Sequence, residues 1–276
     1  MNKESGKILV TGTTGLVGAR LLPRLTEAGL DCLALVRSKN NIPSTISAIE
    51  GDLLDAASLI EAVKDATAII HLAAVFRTQD TDLIWKSNFE GTCNLIETAK
   101  MHAPGCRFIL ASTAHVYDTN NSHPGREDDA VDPQHAYPAS KLAAEKALRE
   151  SGLNWSILRF PFVYGDGDGH LEMLPKHMAA TKWHPATRMS TIHHIDIATA
   201  MKMALTGKMD GRIVNISDES PTSVYELIQL VGQTMQPSSE PLQNPWYLHI
   251  DSSLARSFGF QAVVRTVYQA VQENLL

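Results

Sequence analysis

Cysteine is scarce in this chain, with three in 276 residues: Cys32, Cys93 and Cys106. They show no paired spacing. An odd count without a framework excludes a disulfide-stapled fold and implies a reducing, cytoplasmic setting. Positive charge is not in excess, since 24 Lys and Arg stand against 30 Asp and Glu, for a net charge of -6. That balance speaks against a nucleic-acid or anionic-membrane surface. Long apolar runs are missing, so no membrane span is expected, and Met1-Asn2-Lys3-Glu4-Ser5 does not read as a signal peptide. No Gly-x-Ser-x-Gly occurs, which removes the usual hydrolase elbow. There is no internal repeat and no low-complexity segment.

What is present is organised around the N-terminus. Ile8 to Val10 read as a short buried strand, and the glycines Gly12, Gly15 and Gly18 follow at steps of three. Leu21, Leu22 and Leu25 then recur at helical spacing up to Ala28-Gly29. Strand, glycine turn and helix form the context that a dinucleotide fingerprint requires, although a plain strand-to-helix turn can use the same glycines. In the dinucleotide reading Gly12 permits the tight turn, Gly15 admits a pyrophosphate, and Gly18 lets helix and strand pack closely. Free N–H groups at the helix start hold the phosphate charge. Gly12, Thr14, Gly15, Leu16, Val17 and Gly18 are the expected binding set.

Further along, Asp31–Val36 reads as a second strand ending at Arg37. The residue at this strand end meets the adenosine ribose, where arginine suits the 2′-phosphate of NADP and a carboxylate suits NAD. Arg37 therefore favours NADP, with NAD as the alternative. Ile46–Glu50 reads as a third strand, Asp55 caps a helix over 56–63, and Ala68–Ala74 is a fourth strand running into small residues. Residues 82–101 read as one long helix, and Phe108–Ala111 as a fifth strand ending at Ser112-Thr113. The polar stretch 118–132 reads as a loop and a candidate flap over a site. A helix over 136–151 and a strand over 155–158 follow. Shorter elements come after Arg159: a strand at 190–193, a helix over 196–205, a strand over 212–216, and helices near 223–235 and 263–274.

Such alternation demands an α/β fold, a Rossmann-like doubly wound parallel sheet, here with a small mixed C-terminal substrate lobe. At 276 residues roughly three quarters of the unfolded surface can be buried. The expected division is 1–165 for the dinucleotide-binding part and 166–276 mainly for the lobe, with segments returning to the sheet.

Tyr137 and Lys141 stand four apart, so they share one helix face. A neighbouring ammonium favours a phenolate, and such a tyrosine can exchange a proton with an alcohol or carbonyl. Thr113 could hold the same substrate oxygen. An ordinary amphipathic helix start is the alternative for Tyr137 and Lys141.

The joint pattern is more specific than any part. Gly12-x-x-Gly15-x-x-Gly18, Asp52-Leu53, His71-x-Ala-Ala74, Asn88 with Gly91-Thr92, Thr113 with Val116-Tyr117, and Tyr137-x-x-x-Lys141 occur in that order. With this pattern the chain resembles the extended short-chain dehydrogenase/reductases, in the epimerase/dehydratase branch. The resemblance is strong over about 6–166. It is weaker through Ile192–Asp196, Val214–Ile216 and Ser257–Phe260.

The resemblance implies a catalytic set of Thr113, Tyr137 and Lys141, with Tyr137 as acid/base and Lys141 also holding the nicotinamide ribose. It places Asp52 and Leu53 beside adenine, Ala73 on the cofactor's ribose side, and Pro161 at the carboxamide. Asn88 resembles the structural asparagine of the family's long helix. A homodimer through the helices 82–101 and 136–151 is also implied, with Leu83, Leu95, Ile96, Leu142 and Leu148 offered to it.

Departures from the family narrow the chemistry. Ala114-His115 stands where the dehydratases of the family carry Asp-Glu. Met189 stands where nucleotide-sugar enzymes carry a diphosphate-binding arginine, with Arg188 one residue away. An NADP-preferring alcohol/carbonyl oxidoreductase is the leading reading. A nucleotide-sugar epimerase with tightly held NAD and a non-catalytic dinucleotide sensor are the alternatives. The substrate is thus a small carbonyl or alcohol, or a sugar nucleotide. No metal is expected: His193, His194 and Asp196 read as a strand-to-helix turn with Asp196 as cap. Asp166-Gly-Asp168-Gly lacks the glutamate of a calcium loop, because His177 stands at that position.

Overall fold

The computed structural model describes residues 6–118, 120–181 and 183–276. Strand β1 (Lys7–Thr11) is buried from Ile8 onward, as a strand covered on both faces must be. It lies parallel between β2 (Cys32–Val36) and β4 (Ala66–His71), with Val10 opposite Ala34 and Ile70. Beyond β2 comes β3 (Ala48–Glu50), and beyond β4 comes β5 (Arg107–Thr113), both parallel to their neighbours. With β6 (Asn154–Phe160) and β10 (Arg212–Asn215), the described residues form a seven-stranded sheet in the order β10-β6-β5-β4-β1-β2-β3. The chain turns one way from β1 to β2 and β3, and the other way from β4 to β5. Ligands of doubly wound sheets bind outside the carboxyl ends of strands at such a reversal, here β1 and β4.

Helices α1 (Gly18–Glu27) and α2 (Ala56–Val63) connect the first strands. Asp55 caps α2 by accepting the Ala57 N–H at 3.1 Å, as expected. The expected helix over 82–101 is instead α3 (Thr81–Trp85), a π turn over Lys86–Glu90, and α4 (Gly91–His102). A π turn inserts one residue and rotates the following face. Here it carries the buried Asn88.

The chain divides into two compact units that interleave along the sequence. One comprises residues up to Ser112, Pro133–Leu158 and Met201–Ile213. Its core joins Leu9, Ile69, Phe108, Leu95, Leu148 and Ile157. It contains α5 (Ala136–Arg149). Arg107 ties it together, meeting both Asp210 oxygens at 2.7 and 2.9 Å and the Leu205 carbonyl at 3.0 Å.

The other unit comprises Thr113–Asp132, Arg159–Ala200 and Val214–Leu276. It contains β7 (Phe162–Tyr164), α6 (Leu174–Thr181), β8 (Arg188–Met189), β9 (Thr191–His193), α7 (His194–Leu205, up to Ala200), β11 (Thr222–Ser223), α8 (Val224–Leu230), α9 (Ser253–Ser257) and α10 (Val267–Gln272). Its core gathers Tyr164, Leu174, Met189, Leu227, Val264 and Val267. The polar stretch 118–132 is strapped rather than a free flap. Tyr117 bridges to Val131, the Gly125 N–H reaches the His249 carbonyl at 2.9 Å, and the Asp251 N–H reaches the Gly125 carbonyl at 2.8 Å.

Asp196 also departs from expectation. Helix α7 begins at His194, so Asp196 lies inside its first turn. Its buried carboxylate accepts the Val263 and Val264 N–H groups at 2.5 and 3.1 Å. Capping falls to His193, whose Nδ1 accepts the Ile195 N–H at 3.1 Å. His194 Nε2 meets Asp168 Oδ2 at 2.8 Å, and the His170 N–H bonds Asp168 Oδ1 at 2.8 Å.

Asp218 lies in the same unit and takes the Thr191 hydroxyl at 2.5 Å. Burial pushes its carboxyl up to about 8. The folded chain therefore holds a proton that the unfolded chain gives up near the ordinary carboxylate value of about 4. The resulting stability is complete below that value and is lost as pH rises through about 8. We expect the thermal midpoint to fall by on the order of 5 °C between pH 6 and pH 9, and Asp218→Asn to flatten the fall. An equal fall in both proteins, followed by calorimetry, would remove Asp218 as its source.

Candidate functional site

At the carboxyl end of β1 the chain turns at Gly12, whose φ is +71°. A Cβ there would lie 2.6 Å from the Ala73 nitrogen, so the glycine loop and the chain after β4 are in close contact. A Cβ on Gly18 would lie 2.1 Å from the Gly12 carbonyl oxygen. Gly15 closes the turn with its N–H on the Gly12 carbonyl at 3.0 Å, and its own carbonyl accepts the Ala19 N–H at 3.0 Å. Thr14 and Gly15 are exposed, whereas Leu16 and Val17 are half-buried. No side chain caps α1; its first turn is closed by backbone, with the Arg20 and Leu21 N–H groups on the Val17 carbonyl at 3.1 and 2.8 Å. Thr13, which sequence reasoning passed over, is buried, and its Oγ1 has no hydrogen-bond partner among the described residues. Its place in the loop was the only signal.

A buried polar chain supports this corner. Thr92 Oγ1 donates to the Asn88 carbonyl at 2.6 Å, so it accepts from His71 Nε2 at 2.9 Å. His71 Nδ1 then accepts the Thr11 hydroxyl at 2.7 Å, and Thr11 Oγ1 accepts the Ala73 N–H at 3.3 Å. Burial, helped by the nearby Lys141 charge, pulls His71 down to about 3, so the ring is neutral.

Asn88 does a parallel service. Its amide takes the Val75 N–H at 2.7 Å, gives to the Val75 carbonyl at 2.8 Å, and gives to Ser140 Oγ at 3.1 Å. The loop after β4 and helix α5 are thereby fixed to one side chain.

Tyr137 and Lys141 occupy the first two turns of α5. Tyr137 is half-buried, with its ring 5.5 Å from that of Phe76, over which Arg77 lies at 5.1 Å. Lys141 is 1% exposed and its Nζ has no hydrogen-bond partner among the described residues. Burial lowers it to about 8, against the pull of Glu145, so it is still an ammonium at neutral pH.

The outer positions lie at strand ends. Arg37 follows β2 and is exposed. Asp52 follows β3 and accepts the Leu54 N–H at 2.9 Å. The Leu53 carbonyl accepts from the Asn94 side-chain amide at 2.8 Å, and a Cβ on Gly91 would lie 2.9 Å from the Leu53 Cβ.

In the second unit, Thr113 is buried at the end of β5. Its Oγ1 accepts the His115 N–H at 3.2 Å, which leaves its proton uncommitted. Pro161 separates β6 from β7 and is half-buried. Met189 is 2% exposed within the core, whereas its neighbour Arg188 is exposed and borders a cavity of about 380 Å³ with His184, Tyr225 and Ser238.

A family model, the NAD dependent epimerase/dehydratase family, matches residues 8–217. The chain belongs to this family. It is an NAD(P)-dependent enzyme of the short-chain dehydrogenase/reductase type, as the sequence motifs imply. A UDP-glucose 4-epimerase of Azospirillum brasilense is 30% identical over 175 residues, 58% of this chain and 50% of that protein. A ceramide reductase of Caulobacter vibrioides is 27% identical over 204 residues, 71% of this chain and 60% of that protein. The structure of MoeE5 in complex with UDP-glucuronic acid and NAD is 25% identical, with a TM-score of 0.80 over 97% of each chain. Among the described residues no helix is long and apolar enough to cross a membrane.

The site fits the family's cofactor. A loop in which a Cβ at Gly12 or Gly18 would collide with backbone lies at the sheet reversal, and two buried polar atoms, Thr13 Oγ1 and Lys141 Nζ, lack partners among the described residues. Such atoms are costly unless a ligand pairs with them.

Proposed function

We propose that this protein is an alcohol/carbonyl oxidoreductase that uses NADP and acts through Thr113, Tyr137 and Lys141. The observation that carries the reading is the buried, unpartnered ammonium of Lys141 one helical turn from Tyr137. When bound, the nicotinamide cofactor supplies or accepts the hydride. In the reducing direction, Tyr137 Oη gives its proton to the substrate oxygen, which becomes a hydroxyl. The Lys141 ammonium stabilises the phenolate left behind, and its N–H groups hold the ribose. The Thr113 hydroxyl donates to the reacting oxygen and fixes its position. Gly12, Thr14, Gly15, Leu16, Val17 and Gly18 hold the pyrophosphate. Asp52 and Leu53 flank adenine, Ala73 lies toward the ribose, and the Pro161 backbone meets the carboxamide. The interface of a homodimer is assigned to the long helices, although Leu95, Ile96 and Leu148 are spent in the protomer's own core. Leu83, which is 42% exposed, remains available.

A small carbonyl substrate is supported by Met189, since no arginine stands at the diphosphate position and the methionine is packed in the core. Phe76 beside Tyr137 adds an apolar wall. A nucleotide-sugar epimerase is the second reading, supported by relatives that bear that name and by Arg188 at the edge of its cavity. Screening purified protein separates them. Oxidation of free NADPH with aldehydes or ketones, without interconversion of UDP-glucose and UDP-galactose, is expected. Cofactor that survives gel filtration together with that interconversion would establish the epimerase instead.

Cofactor preference rests on Arg37. Arg37→Glu replaces a partner of the 2′-phosphate with a like charge. We expect the NADP dissociation constant to rise about 100-fold, equivalent to two charge-assisted hydrogen bonds, while that of NAD changes less than threefold. Equal weakening of both in fluorescence titrations would take Arg37 out of cofactor selection.

A further inference from the structure

Lys141 and Glu145 are one turn apart on α5, and each is 1% exposed. An unpaired ammonium in such surroundings is costly. Helix α5 packs against α3, the π turn and α4, whose Asp82, Lys86, Glu90, Glu97 and His102 are exposed and whose Lys100 is half-buried, so few buried charges surround Lys141 within its unit. Strand β4 presents His71, which is neutral. Strand β5 presents Ser112, which gives its hydroxyl hydrogen to Glu145 Oε1 at 2.5 Å. Helix α5 carries Tyr137 one turn before Lys141 and Glu145 one turn after. Glu145 is thus the negative charge in this set. Lys141 Nζ makes no hydrogen bond to it, so the carboxylate acts through its field and the ammonium keeps its donors for a ligand.

We propose that Glu145, fixed in place by Ser112, is a positioning residue that keeps Lys141 charged beside Tyr137 without touching substrate or cofactor. The proposal rests on the Tyr137 and Lys141 roles proposed above. Its physical basis is a balance at one atom. Burial favours loss of the Lys141 proton, and Glu145 opposes that loss. Neutralising Glu145 leaves burial unopposed, so Lys141 gives up its proton at lower pH. With a neutral amine in place, the phenolate on Tyr137 is no longer stabilised, and proton transfer slows on the alkaline side.

The test is Glu145→Gln in the full chain, which keeps an acceptor for Ser112 and removes the charge. Lysine labelled with carbon-13 at the ε position reports the Lys141 titration by NMR, with the resonance assigned by Lys141→Arg. We expect its midpoint to fall by about one pH unit, a tenfold change in acid constant. The alkaline limb of kcat/KM for carbonyl reduction should fall with it, and Glu145→Asp should restore both. A midpoint unchanged in Glu145→Gln overturns the proposal. If that variant does not fold, Ser112→Ala carries the same test, with a lower midpoint in support and an unchanged one against. Lys141→Met at wild-type turnover would instead refute the Tyr137 and Lys141 roles, while leaving the NMR result to judge Glu145.

Discussion

Tyr137→Phe is expected to lower turnover by about 10²–10⁴-fold, the usual loss when a general acid is removed. Cofactor affinity should change less than threefold, because the ring keeps its place. It stands 5.5 Å from Phe76, and its helix is held by Asn88 through Ser140, neither of which uses the phenol oxygen. The variant therefore separates proton transfer from binding. Stopped-flow reduction at saturating NADPH would measure the first, and fluorescence quenching the second. Wild-type turnover in the variant would mean that the proton comes from elsewhere, and the mechanism would need another acid near Thr113. A loss of binding equal to the loss of rate would make the tyrosine a packing residue.

What was legible in the sequence was local or periodic. The glycine turn, the strand expected at 8–10 and found at Lys7–Thr11, and the cap at Asp55 depend on neighbours within a few residues. The four-residue spacing of Tyr137 and Lys141 also needed only helical geometry.

Features set by distant partners were not legible. Residues 82–101 contain no proline to break a helix, and the π turn coincides with Asn88 reaching the Val75 backbone, 13 positions away. Asp196 reads as a cap because it opens an apolar helix, yet its partners are the amides of Val263 and Val264, 67 and 68 positions on. The stretch 118–132 is polar and glycine-containing, which suggests freedom, but its straps come from residues 249 and 251. Glu145 left one readable sign, a carboxylate on the buried face of an amphipathic helix four residues past Lys141. Its partner Ser112 could be found only by folding the chain.

The glycine loop offers an expected result in which two neighbouring substitutions part company. A methyl group on Gly18 would sit 2.1 Å from the Gly12 carbonyl oxygen and 2.7 Å from Thr13 Cα, and these backbone atoms cannot swing aside as a side chain would. Gly18→Ala must therefore push α1 away from the loop. The cost falls on the folded chain itself, about 1–3 kcal/mol for such overpacking, or on the order of 5 °C in Tm. The helix start proposed to hold the pyrophosphate is displaced as well, so cofactor affinity should fall with stability. Gly15 is different. It is exposed, and the nearest atom to its added methyl is the Gly12 carbonyl oxygen at 3.2 Å, a contact relieved by a few tenths of an ångström. Gly15→Ala should leave Tm within about 2 °C, as for a surface substitution. Its methyl instead occupies the space through which backbone approaches the phosphates, so affinity should fall by about 100-fold or more, the equivalent of two lost hydrogen bonds to charged groups. Calorimetric melting of the two variants without cofactor, followed by NADPH titration, gives the comparison. Wild-type affinity in Gly15→Ala would place the pyrophosphate elsewhere and leave the three glycines as a packing device between β1 and α1.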